Sequence, residues 1–173
     1  MLLQHGVDVN ARKNDDTTPL HEAAYDGTVE AIHLLLEHEA DVNARKDDDT
    51  TPLHEAARRG SVEAIHLLHE HGADMNTRKD DGTTVLHEAA RNGNVEAIRV
   101  LVELGADVDT RKDDDTTPLH VAVQYGTLDD TRVLLEHGAD VGAEDGGGKT
   151  ALQLASERGR NEIMTLLSEH GAM

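Results

Sequence analysis

The sequence predicts an all-α solenoid of thin, stacked helix-turn-helix units from which hairpin or loop fingers protrude. Three observations carry this. A four-residue pattern returns every 33 residues: Thr18-Pro19-Leu20-His21, Thr51-Pro52-Leu53-His54, Thr84-Val85-Leu86-His87, Thr117-Pro118-Leu119-His120 and, degraded, Thr150-Ala151-Leu152-Gln153. Residues 14–46 and 47–79 differ at only eight positions. The chain of 173 residues has no Phe, Trp or Cys, and Tyr25 and Tyr125 are its only aromatics. A deep globular core draws on large aromatics. A chain with little beyond Leu, Ile, Val and Ala must instead bury many thin layers against their neighbours.

Each unit justifies its own elements. Thr18 is a good N-cap, and Pro19 at the first helical position sacrifices no needed N–H. A short helix continues through Leu20, Ala23 and Ala24 and is expected to end at Gly27, with Gly60, Gly93, Gly126 and Gly159 as counterparts. Thr28, Ser61, Asn94 and Thr127 then suit the N-cap of a second helix, and Glu30, Glu63, Glu96 and Asp129 lie in its first turn, where acids favour the dipole. That helix carries Ile32, Leu34 and Leu35 and their counterparts Ile65, Leu67 and Leu68, and it closes at Gly72, Gly105 and Gly138. Glu39 occupies this glycine position, so the first such turn is expected to be strained or altered. Segments such as Asp41–Asp49 are too short and polar for a third helix and read as extended fingers with tight turns.

A unit of this length, opening on Thr-Pro-Leu-His and ending as in Gly72-Ala73-Asp74-Met75-Asn76, resembles the ankyrin repeat. The resemblance runs over essentially the whole chain as a single domain. Full repeats are expected at 14–46, 47–79, 80–112 and 113–145, a capping-like repeat at 146–173, and the tail of an earlier repeat at 1–13. Asp16, Asp49 and Asp115 stand where the family usually has glycine, as Gly82 and Gly148 do. Val85 and Gln153 depart from the motif Pro and His. Asn161 and Ser168, where earlier units have Val29 and Leu36, suit a polar end cap. The incomplete first unit is expected to expose apolar surface, which allows self-association.

The formal charge of −19 disfavours nucleic acid and anionic membrane surfaces and favours basic partners or divalent cations. No apolar run approaches the ~18 residues of a membrane span, and the first residues lack the pattern of a signal peptide. A cytoplasmic or nuclear setting is therefore the default expectation, left open if the chain is a fragment of a longer protein.

Catalysis is not expected. His21, His54, His87 and His120 share one register, and the resemblance implies that they bond within the turn that opens the helix. His38, His71, His137 and His170 fall in last helical turns, where imidazole suits the negative helix end. His66, His69 and His71 are not spaced to share one helix face, and no Cys joins them as a zinc ligand. Gly146-Gly147-Gly148-Lys149-Thr150 lacks the first glycine of a phosphate loop.

Two sets of binding residues are expected. The first is a partner face. By register, the residues before the first helix's closing glycine vary most: Tyr25-Asp26, Arg58-Arg59, Arg91-Asn92, Gln124-Tyr125 and Glu157-Arg158. The outer position Glu22, Glu55, Glu88 becomes Val121 and then Leu154. The resemblance implies that first helices and fingers line a concave groove for a partner protein or peptide, and Tyr and Arg dominate binding hot spots. The second set is the acidic fingers: Asp15-Asp16, Asp47-Asp48-Asp49, Asp80-Asp81 and Asp113-Asp114-Asp115. Stacking would set these roughly 10 Å apart. The flanking pairs Arg12-Lys13, Arg45-Lys46, Arg78-Lys79 and Arg111-Lys112 are expected to relieve the repulsion by pairing with acids of the neighbouring finger. The alternative relief is calcium, held by carboxylates and turn carbonyls. No other cofactor is implied. The resemblance also implies that Asn10, Asn43 and Asn76 stand where asparaginyl hydroxylases act on some ankyrin repeats.

Overall fold

The computed structural model describes residues 8–172 and contains ten α-helices among them. The first helices of the five units are α1 (Pro19–Asp26), α3 (Pro52–Arg59), α5 (Val85–Arg91), α7 (Pro118–Tyr125) and α9 (Ala151–Glu157). The second helices are α2 (Val29–Glu37), α4 (Val62–Glu70), α6 (Val95–Glu103), α8 (Leu128–Glu136) and α10 (Asn161–Glu169). First helices stack on first helices and second on second, so each Leu and Ala layer is closed by the layers beside it. Leu20, Leu53, Leu86 and Leu119 are buried, as are Ile32, Ile65 and Ile98. At the far end Asn161 and Ser168 are exposed while Ile163 and Leu167 are buried, which makes α10 a polar cap. The 1–13 remnant falls partly outside the described residues, but its end joins the stack. Asn10 Nδ2–H donates to the Glu39 carbonyl, and Arg12 donates to the Arg45 carbonyl.

The repeated histidine bonds in its own turn and also across the repeat boundary. In the first full unit, the Thr18 N–H and Oγ1–H both meet His21 Nδ1, at 3.3 and 2.8 Å. His21 Nε2–H donates to the Thr50 carbonyl of the next finger at 2.9 Å. The same bridge runs from His54 to Thr83, from His87 to Thr116 and from His120 to Lys149. The acceptor at Nε2 fixes the neutral Nε2–H tautomer. Gln153 keeps half of this role: its Oε1 accepts the Thr150 N–H at 2.9 Å.

A ladder of amides joins the opposite ends of the fingers. Asn43 Nδ2–H donates to the Gly72 carbonyl, and Asn43 Oδ1 accepts the Asp74 N–H; Asn76 repeats both bonds one unit on. Asp109 retains only the acceptor half, to the Asp140 N–H. The finger tips lie closer than helix-packing distance. The Asp47 N–H donates to the Asp15 carbonyl at 3.3 Å, Asp80 to Asp48 at 3.2 Å, Asp113 to Asp81 at 3.1 Å and Gly146 to Asp114 at 2.8 Å.

Two turn expectations resolve differently. Glu39 keeps the glycine geometry instead of altering it: its φ is +65°, against +88° for Gly72, and both turns make the same backbone bonds. The strain is torsional, because a Cβ at Gly72 would meet nothing within 4 Å. Asp16, Asp49 and Asp115 likewise sit at φ of 58°, 60° and 57°. Gly126, by contrast, is not left-handed like Gly27 and Gly60; its φ of −81° and ψ of −162° are extended. The cause is Asp130, which replaces the alanine of earlier repeats. Its Oδ2 accepts both the N–H and Oγ1–H of Thr127, at 2.6 and 2.7 Å. A Cβ at Gly126 would fall 2.8 Å from the Ala90 carbonyl and 2.9 Å from Asp130 Oδ2.

Two stability predictions follow from this geometry. Burial lowers the pKa of all four bridging histidines, outweighing the pull of their carbonyl partners, with His54 down to about 3 and His87 to about 4 from 6.5. Below 6.5 the unfolded chain binds more protons than the native one, so stability falls as pH falls from there toward these native values. Each such histidine removes up to about 1.4 kcal/mol per pH unit. The guanidinium midpoint should therefore drop steeply between pH 6.5 and 4; a flat profile would refute buried neutral imidazoles. Separately, Glu39→Gly should raise the urea-derived stability by about 0.5–1 kcal/mol, while Glu39→Ala gives no gain, because alanine also resists positive φ.

Candidate functional site

The groove is built from the outward ends of the first helices and the fingers above them. Tyr25 and Tyr125 are 50% and 52% exposed, in a chain whose other large apolar side chains are mostly buried. Each is covered by arginine from a neighbouring repeat. The Arg58 guanidinium lies 4.9 Å from the Tyr25 ring centre, and Arg91 and Arg158 lie 5.0 and 6.0 Å from that of Tyr125, one from each side in sequence. Tyr25 comes from the first of the two variable positions and Tyr125 from the second, so the two stacks have different compositions. Cation–π contact holds the flexible arginines in place while leaving their N–H groups able to donate.

The remaining expected contact residues divide. Asp26 joins Tyr25 and Arg58 around a hollow of about 470 Å³ that also includes Glu22, Lys46 and Glu55. Arg58, Arg91 and Asn92 border a second hollow of about 570 Å³ with Lys79, Lys112 and Val121. Three residues are already engaged. Asn92 Nδ2–H donates to the Glu88 carbonyl at the end of its own helix, Gln124 Nε2–H donates to Tyr125 Oη, and Glu157 pairs with Lys149 at 2.8 Å. The Arg59 stem lies over the Gly27 turn of the preceding repeat.

Register comparison of variable positions missed a set of ion pairs that crosses the groove floor. Lys13 pairs with Glu22, Lys46 with Glu55 at 2.5 Å and Lys79 with Glu88 at 2.5 Å. Each joins a finger to the first helix that follows it. The signal was available as a Lys and a Glu that always lie nine residues apart. The sequence shows the spacing but not that the lysine of a finger folds back onto the helix that follows it.

The acidic fingers are organised from within. Asp15, Asp48, Asp81 and Asp114 each accept, at Oδ1, the N–H of the threonine two residues on. For Asp81, partial burial raises the carboxyl pKa, but the Thr83 hydrogen bonds and Lys112 outweigh it and bring the value down to about 2. Asp16, Asp49 and Asp115 pair with Arg12, Arg45 and Arg111 at 3.6, 3.3 and 3.7 Å. These three pairs lie within one finger, so the expected pairing across fingers holds only for Lys112 with Asp81 and Arg78 with Asp113. The guanidinium nitrogens reach the neighbouring finger at a backbone carbonyl instead: Arg45 to Arg78, Arg78 to Arg111, and Arg111 to Glu144. Arg78 is the exception that explains the rule. Gly82 replaces its own-finger acid, so Arg78 reaches Asp113 across the gap at 4.0 Å. Asp80 remains poorly compensated, and its carboxyl pKa is raised by contact with that of Asp49.

Among the described residues, no three His, Asp or Glu side chains converge as metal ligands. The His38, His71, His137 and His170 Nδ1–H groups donate to carbonyls four residues back, at 2.8–2.9 Å. Asp145 Oδ1 accepts the N–H groups of Gly147 and Lys149, so the glycine-rich turn directs them inward. No described helix is long and apolar enough to cross a membrane.

No curated protein matches the chain significantly. The family model for ankyrin repeats matches it in three copies, over residues 1–79, 74–145 and 111–173. Together with the paired helices, the bridging histidine and the fingers, this places the chain in the ankyrin repeat family, whose members generally mediate protein–protein interaction.

Proposed function

We propose that this chain is a non-catalytic scaffold that holds an extended peptide or loop of a partner protein along the concave face of its first helices and fingers. The observation that supports it most is the placement of the chain's two tyrosines. Both project from the groove at variable registers and both are clasped by arginines of other repeats. Ordered Tyr and Arg lose little freedom on binding, which is why such residues carry interface energy. The charges suggest the partner's pattern: acidic residues near its middle, toward Arg58 and Arg91, and basic residues at its edges, toward the fingers. Catalysis finds no support in the buried titratable groups, because each bridging histidine repeats in register with both ring nitrogens engaged in the fold.

A second reading, calcium stiffening of the fingers, is favoured by one observation, the crowding of Asp49 and Asp80. Carboxylates already bonded to backbone N–H groups and arginines count against it.

Two outcomes are expected. A peptide selected from a displayed random library on the intact protein should lose about 1–3 kcal/mol of affinity on Tyr125→Ala or Arg58→Ala, measured by calorimetry; unchanged affinity in both would place the site elsewhere. Millimolar calcium should leave the melting temperature unchanged if the fingers are satisfied internally, whereas a rise reversed by chelator would favour the second reading.

A further inference from the structure

The ladder of groove ion pairs breaks in the fourth repeat. Lys13, Lys46 and Lys79 each face a glutamate of the first helix that follows, but at the matching position of α7 the residue is Val121. Lys112 therefore has no glutamate to meet and leans to Asp81 of the preceding finger at 3.2 Å. Asp81 is a poor substitute. Lys112 meets Oδ2 while Oδ1 accepts the Thr83 N–H, and with the Asp81 side chain 59% exposed the pair is open to exchange with a competing carboxylate. Lys112 is itself largely covered, at 22% exposure, and Val121 beneath it is buried. Both border the 570 Å³ hollow that Arg91 and Arg58 also line.

We infer that this break is a subsite for a glutamate side chain of the partner peptide, whose carboxylate takes the place that Glu22, Glu55 and Glu88 fill in the other repeats. The inference rests on the groove reading above and gives it an anchor and a register. A glutamate arriving from the open side lays its methylenes on Val121 and accepts from Lys112 Nζ, in a hollow that Arg91 also lines. The geometry it reproduces exists twice in the same molecule, where the Lys46–Glu55 and Lys79–Glu88 pairs are held with glutamate side chains only 7% and 11% exposed. A charge-assisted bond in so covered a setting is stronger than a rim contact.

Val121→Glu tests this, because it restores the ladder from within and occupies the subsite while copying a rung the fold already accommodates. A phage-displayed random dodecapeptide library is selected on the intact wild-type protein, and the recovered peptides are synthesised. They should share an acidic residue at one position. Their affinity should fall about tenfold or more on Val121→Glu, with circular dichroism and melting temperature showing the variant folded. Replacing the shared peptide glutamate by glutamine should cost as much on wild type and nothing further on Val121→Glu. Free glutarate and inorganic phosphate serve as competitors: competition by phosphate but not glutarate would mark a general anion site and overturn the glutamate assignment. Peptides lacking a shared acid, or bound equally by Val121→Glu, overturn the subsite. If those peptides still depend on Tyr125 and Arg58, the groove reading stands without it. If they are indifferent to Tyr125→Ala and Arg58→Ala as well, or if wild type retains no peptide, the groove reading falls too.

Discussion

One side chain ties each layer to the next. The histidine in the first turn of four of the five first helices accepts at Nδ1 from its own threonine and donates at Nε2 to the carbonyl of the following finger. No repeat can bury its Leu and Ala face alone, so stability resides in boundaries between repeats. A buried bond that spans a boundary makes neighbouring units cooperative and sets the distance at which their helices meet. The bridge requires a neutral ring in one tautomer, so the same residue that couples the repeats also makes the coupling depend on proton concentration.

The large negative charge is managed by local pairing. The regular fingers fold two acids inward, one carboxylate on a threonine N–H and another beside its own arginine, and pass the guanidinium on to the next finger's backbone. Backbone bonds between tips then become tolerable despite the acids around them. Where one component is missing, the neighbours rearrange by the same logic: Gly82 sends Arg78 to Asp113, and Val121 sends Lys112 to Asp81.

Irregularity concentrates in the fourth repeat. Asp130 and Thr131 replace the alanine and isoleucine that stand here in the three preceding repeats, and both are fully buried. Thr131 Oγ1–H is satisfied by the Thr127 carbonyl, but Asp130 Oδ1 has no partner. An orphan acceptor in the core is costly. The capping box that Asp130 makes with Thr127, the extended Gly126, and Arg160 donating from the fifth repeat to the Val123 and Gly126 carbonyls offset part of that cost. The same repeat carries Tyr125 and the broken ladder, so the places that depart from the repeat pattern lie together.

The sequence by itself determined the repeat, its two helices, the caps that open the first helices, and the division between packing and variable positions; of the expected second-helix caps Ser61 and Thr127 bond their helices, while Asn94 turns to the Ala57 and Arg58 carbonyls. Those follow from short-range chemistry that recurs at a fixed spacing, so each copy confirms the others. It also pointed to left-handed strain at Glu39, because a residue in a glycine register must take the glycine's backbone angles. What it did not show was direction across repeats. That the histidine reaches forward to another unit, that Arg45 pairs with its own finger and not the next, and that arginines lie over both tyrosines depend on the separation and angle between layers. Those are set only when all layers pack. The empty rung at Lys112 was visible as a substitution at residue 121, but its meaning required seeing which lysine the other glutamates hold.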